Sequence, residues 1–84
     1  MKVEILGAGC QRCEELFQAV TEAVQQSQVS ASVIKVKEVQ EILNRGVFIT
    51  PAISIDGEIV SSGKVPGRDE LIRMLNSAAS VAGQ

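Results

Sequence analysis

Residues 2–17 read Lys2-Val3-Glu4-Ile5-Leu6-Gly7-Ala8-Gly9-Cys10-Gln11-Arg12-Cys13-Glu14-Glu15-Leu16-Phe17, and the fold is decided here. Lys2 to Leu6 is short, partly β-branched and followed by Gly7 and Gly9, which suits a strand ending in a tight loop. Leu16, Phe17, Val20, Ala23 and Val24 then recur at the spacing of one helical face, with Glu14, Glu15, Gln18, Glu22 and Gln25 on the other. Glu14 and Glu15 fall in the first turn, where negative charge complements the positive end of a helix. The two cysteines thus sit where a strand gives way to an amphipathic helix.

Working outward, Ser32-Val33-Ile34-Lys35-Val36 is rich in branched residues and reads as a second strand. Strand, helix, strand is the pattern of a right-handed βαβ unit with parallel strands. A short helix from Glu38 to Arg45 presents Val39, Ile42 and Leu43, and Gly46 suits the left-handed position after its end. Ala52-Ile53-Ser54-Ile55 and Glu58-Ile59-Val60-Ser61 flank Asp56-Gly57, the strongest short-range signal for a type I′ hairpin. After Gly63 and Pro66-Gly67, a last helix from Arg68 to Asn76 offers Leu71, Ile72 and Leu75 to the core. The expected architecture is α/β, in the order β-α-β-α-β-β-α, with a four-stranded mixed sheet and helices on both faces. One domain spans residues 1–77, and 78–84 form a flexible C-terminal tail, being small and polar enough to fray.

The chain has 84 residues, which leaves no room for a second core. Its net charge of -2 supplies no positive field to gather phosphate backbones, and two Phe as the only aromatics offer no stacking platform, so nucleic acid is not an expected partner. Glu4 interrupts the short apolar start, where an export signal needs about 7–15 uninterrupted apolar residues. No run approaches the ~18 apolar residues of a membrane span. The expectation is a cytoplasmic protein, monomeric and off the membrane. In that reducing compartment a lone Cys-x-x-Cys is catalytic or metal-binding rather than a structural staple.

Free N–H groups and the helix dipole concentrate positive charge at a helix start, which favours a thiolate over a thiol. Arg12 adds a full charge nearby, and such surroundings lower a cysteine pKa from about 8.5 to roughly 3.5–7.5. Three residues apart on one turn, the two Cβ atoms can reach disulfide separation without backbone movement. Cys10, before the helix and nearer solvent, is the candidate attacking thiolate, and Cys13, in the first turn, the candidate resolving thiol. Gly7 and Gly9 would let the loop pass close to a substrate chain. The alternative is a metal-binding or metallochaperone module using the same two thiolates, since soft thiolate pairs hold copper(I) and zinc. With no His and no third Cys, the chain cannot complete a four-coordinate zinc site from its own soft ligands.

Thr50-Pro51 stands directly before the hairpin, and proline at a strand start marks an edge, a turn or a cis bond. The set Gly7-x-Gly9-Cys10-x-x-Cys13, Thr50-Pro51-Ala52, Ile55-Asp56-Gly57-x-Ile59-Val60, a glycine and a final amphipathic helix resembles the thioredoxin superfamily. More narrowly it is similar to the glutaredoxin-sized, thioredoxin-like redox-active disulfide proteins of bacteria and archaea, over residues 2 to 76. The resemblance implies a thiol–disulfide oxidoreductase in which Cys10 is the nucleophile, Cys13 the resolving cysteine and Pro51 a cis-proline beside them. Thr50 would offer backbone hydrogen bonds to an extended substrate, with Gly9, Gln11 and Arg12 completing the substrate-facing surface. Protein or small-molecule disulfides are the implied substrates, and a thioredoxin-reductase-like protein or glutathione the electron donor; no cofactor is needed. Larger thioredoxins have Trp-Cys-Gly-Pro-Cys at the site, whereas here Ala8-Gly9 and Gln11-Arg12 stand in those places.

Overall fold

The computed structural model describes the backbone of residues 1–82 and side-chain surroundings as far as residue 79. The elements follow in the order β1 (Lys2–Leu6), α1 (Gln11–Ser27), β2 (Ser32–Val36), α2 (Val39–Asn44), β3 (Ala52–Ile55), β4 (Glu58–Ser62) and α3 (Arg68–Ala82). They build a four-stranded sheet of order β2-β1-β3-β4. β1 runs parallel to β2, with Val3 opposite Val33, and antiparallel to β3, with Ile5 opposite Ile53. The β3–β4 hairpin closes through Asp56 at φ 50° and Gly57 at φ 90°, the two positive φ values of a type I′ turn. Asp56 also ties this turn to the start of the chain, its carboxylate accepting from the Lys2 N–H at 2.8 Å. A register shift between Ile53 and Ser54 lets β4 run on to Ser62.

Alternation along β1 sends Val3 and Ile5 to one face and Glu4 and Leu6 to the other. On the first face Val3, Ile5, Ile53 and Ile55 are covered by Leu16, Val20 and Ala23 of α1 and Leu71 and Leu75 of α3. On the second, Leu6 and Ala52 pack with Ile42 of α2 and with Val47. Helices therefore lie on both faces, and the cysteine loop leaves the carboxyl end of the central strand β1. The boundary that differs most from expectation is the end of α3, which continues past Asn76 to Ala82. The stretch 77–82 contains no Gly or Pro and three alanines, the best helix former, so the last helix has nothing to stop it there. Residues 78–82, expected within a flexible tail, are helical; the rest of that expected tail lies outside the described residues.

The second face also holds a charge. Glu4, 4 % exposed, receives both Arg45 amino groups on its two carboxylate oxygens at 2.8 and 2.9 Å, while Arg45 Nε donates to Glu41 at 3.0 Å. Arg45 follows α2 directly, so the ion pair fixes α2 to the middle of the sheet. The hydrogen bonds from Arg45 hold the Glu4 carboxyl below its ordinary 4.5, against the opposing effect of burial and with help from the Arg45 and Lys2 charges. A depressed folded-state pKa contributes stability above the unfolded value that is lost as pH falls through the folded one. Urea midpoints are accordingly expected to fall as pH drops below about 4.5. Glu4→Gln, less stable at pH 7, should flatten that part of the curve; an unchanged acid limb would contradict the assignment.

Candidate active site

Cys10 is the capping residue at the amino end of α1, in extended conformation, and Cys13 lies in the first turn. The two are joined as a disulfide with their Cα atoms 5.1 Å apart, inside the range that disulfides adopt. Cys10 is exposed and Cys13 buried. The Cys13 N–H donates to Cys10 Sγ at 3.2 Å, and the Glu14 N–H to the Cys10 carbonyl at 3.1 Å. Sulfur here occupies the place that an oxygen holds in an ordinary helix cap, facing N–H groups with no helical partner. In the reduced protein the same donor meets a sulfur that can carry negative charge, and a charge-assisted bond is the stronger kind.

Gly7 makes room for this pair. Its N–H donates to the Val36 carbonyl at 2.9 Å, and a Cβ added to it would fall on Cys13 Sγ, 3.0 Å from Cys13 Cβ and 4.0 Å from Thr50 Cβ. Gly7 is buried between Cys13 and Thr50, so its bareness serves the second sulfur and not, as expected from sequence, the approach of a substrate. Gly9 is the exposed one, at φ 89° with open space around it. Gly7→Ala is expected to overpack Cys13 in the disulfide form by about 1–3 kcal/mol, and so to shift the dithiol–disulfide equilibrium in a glutathione redox buffer toward the dithiol, by up to roughly 5–150-fold. An unchanged equilibrium would mean that the loop yields freely.

The Thr50–Pro51 peptide is cis, with Pro51 buried and Thr50 exposed. The Gly63 N–H donates to the Pro51 carbonyl at 2.8 Å, Arg12 Nη2 to the Gly63 carbonyl at 3.3 Å, and Ser62 Oγ to the Ile49 carbonyl at 2.8 Å. These bonds tie the cysteine loop, the segment 49–51 and the turn at 62–63 into one surface. Cys10, Cys13, Thr50, Pro51 and Arg12 are thereby brought together, with Gly9 in the loop and Gln11 at the first position of α1 both exposed. Sequence reasoning missed Gly63, whose positive φ and close approach to Ile49 give it a distinct position, and it missed Phe48 and Ile49, 83 % and 63 % exposed before Thr50. Their apolar character signals burial in sequence, so nothing local points to this placement. Among the described residues, no three His, Cys, Asp or Glu side chains gather as they do around a metal, and no helix is long and apolar enough to cross a membrane.

Comparison with known proteins agrees with this geometry. Residues 1–76 match the family described as Thioredoxin domain. A protein named Thioredoxin from Methanothermobacter thermautotrophicus is 34 % identical over 76 residues, covering 90 % of this chain and 99 % of the relative. Another Thioredoxin, from Methanocaldococcus jannaschii, is 36 % identical over 75 residues, covering 89 % of this chain and 86 % of the relative. The chain belongs to the thioredoxin family of thiol–disulfide oxidoreductases.

Proposed function

We propose that the chain reduces disulfides through Cys10, with Cys13 as the resolving thiol. Cys10 thiolate attacks one sulfur of a substrate disulfide, forming a mixed disulfide and releasing the first substrate thiolate. Cys13, having given its proton to solvent, attacks Cys10 Sγ; the Cys10–Cys13 bond forms and the second substrate thiolate leaves. The substrate gains two electrons and the protein loses two, which a thioredoxin-reductase-like protein, or two molecules of glutathione oxidised to their disulfide, must restore. The observation that carries this reading is the Cys13 N–H aimed at Cys10 Sγ, at an exposed helix start. Thr50 and Pro51, with Gly9, Gln11 and Arg12, are the surface on which a substrate chain would lie. A reducing cytoplasm and a monomer are the setting that this reading supposes.

The test measures turnover of a protein disulfide with reductant alongside titration of the reduced protein with copper(I) and zinc. Catalytic turnover supports the reading. Tight stoichiometric metal uptake without exchange would favour a metal carrier built on the same two thiolates.

A further inference from the structure

Behind the disulfide lies charge that the exchange steps do not use. A cavity of about 10 Å³, room for roughly one water, adjoins Cys13 and is lined by Gly7, Glu14, Lys35 and Lys37 among others. Lys35 Nζ donates to both Glu14 carboxylate oxygens, at 2.8 and 3.1 Å, and sits 4.6 Å from the centre of the Phe17 ring. Two side chains of α1 thus hold the Lys35 ammonium over the helix start. The bond from Lys35 keeps the Glu14 carboxyl below its ordinary range, against a smaller opposing effect of burial and with the Lys35 and Lys37 charges adding. Glu14 is therefore a fixed anion at neutral pH.

The other residues lining this cavity carry no charge. β1 contributes Ile5 to the cavity and the loop after it Gly7 and Gly9, and Thr50, like Cys13, borders Gly7. Arg12 keeps its charge while donating to the Gly63 carbonyl and is common to every variant compared, and Glu4 lies on the opposite face of the sheet, bound to Arg45. The charges lining the cleft are two cations and one anion. Burial of Cys13 opposes loss of its proton, nearby cations favour it, and an anion both opposes it and neutralises the nearer cation.

We propose that Glu14 acts on the resolving step through Lys35: by pairing with the Lys35 ammonium at the cleft beside Cys13 it offsets that cation, and so limits how readily the thiol ionises and how fast the mixed disulfide is released. The inference rests on Cys13 being the resolving cysteine. It gives Glu14 and Lys35 opposite effects on one step. With Glu14→Gln, Lys35 and Lys37 act uncompensated, and Cys13 ionises at lower pH. With Lys35→Met the anion is left and Cys13 ionises at higher pH. The double substitution restores the net charge of the cleft and much of the original behaviour.

The experiment is single-turnover release of thiol from a Cys10 mixed disulfide, followed across pH. Glu14→Gln should move the half-maximal pH down by about 0.5–1 unit and raise the rate below the midpoint about 3–10-fold, and Lys35→Met should move it up by a similar amount. The double variant should fall between them. Alkylation of Cys10, measured with Cys13→Ser in each background, should change far less, which a general loosening of the helix start would not reproduce. Both side chains are substantially exposed, at 45 % and 34 %, so the variants should fold, and urea midpoints would check this. Shifts in the same direction, no shift, or equal shifts at Cys10 and Cys13 would overturn the proposal. Failure of the unsubstituted protein to release thiol at any pH would instead overturn the exchange reading, and this inference with it.

Discussion

Cys13→Ser is expected to halt the protein as a covalent adduct with its substrate, while Cys10→Ser reduces exchange to background. The chain contains only these two cysteines, so no other thiol can stand in for either. Cys10 is exposed and receives an N–H bond on its sulfur, which leaves the first attack possible when Cys13 is changed. Cys13 is buried behind it, within bonding distance of Cys10 and shielded from a bulky external disulfide. Removing Cys13 therefore leaves a mixed disulfide that only an external thiol can open. Intact-mass analysis under non-reducing conditions should show the protein plus one substrate equivalent for Cys13→Ser, and the free protein for Cys10→Ser. If the adduct formed on Cys13 in the Cys10→Ser protein instead, the two roles would be reversed.

Arg45→Leu should lower the melting temperature by on the order of 10 °C, because it strands a carboxylate inside the protein. Glu4 lies in the central strand and its two oxygens are satisfied from Arg45, so loss of the guanidinium leaves a buried anion without a partner. Replacing both residues, in Glu4→Leu with Arg45→Leu, removes the burden together with the pair and should recover much of the loss. Far-ultraviolet circular dichroism is the suitable probe, since the chain has no Trp and no Tyr. Exchange measured well below the melting point should be unaffected in both variants, as the pair sits across the sheet from α1. A single substitution that melts like the parent would mean that solvent reaches Glu4 more freely than its burial indicates.

The parts of the fold legible in sequence are those set by short-range chemistry. Asp56-Gly57 announces its hairpin because a type I′ turn requires two positive φ values, and α1 announces itself through Leu16, Val20 and Ala23. The placement of the cysteine pair was legible for the same reason, since a residue just before a helix and one three positions on come within disulfide reach. Long-range pairing was not. Glu4 reads as an interruption in an apolar run, and only the return of the chain at Arg45 explains it. Arg12 meets Gly63 across 51 positions of sequence, and no local pattern of either residue marks the other. Gly7 looks like any loop glycine until the Cys13 sulfur is found where its Cβ would be. The carboxyl end of α3 was set too early because Ser77 to Ala82 lacks the large apolar residues by which a helix is recognised, although nothing in it breaks one.

The central claim is that Cys10, in the reduced protein, is held ionised by the amino end of α1. A pH titration of thiolate ultraviolet absorbance in Cys13→Ser reports that sulfur alone, in a chain whose lack of Tyr and Trp keeps the signal clear. The account predicts a midpoint well below the ~8.5 of a free cysteine. A midpoint at the free-cysteine value would contradict it.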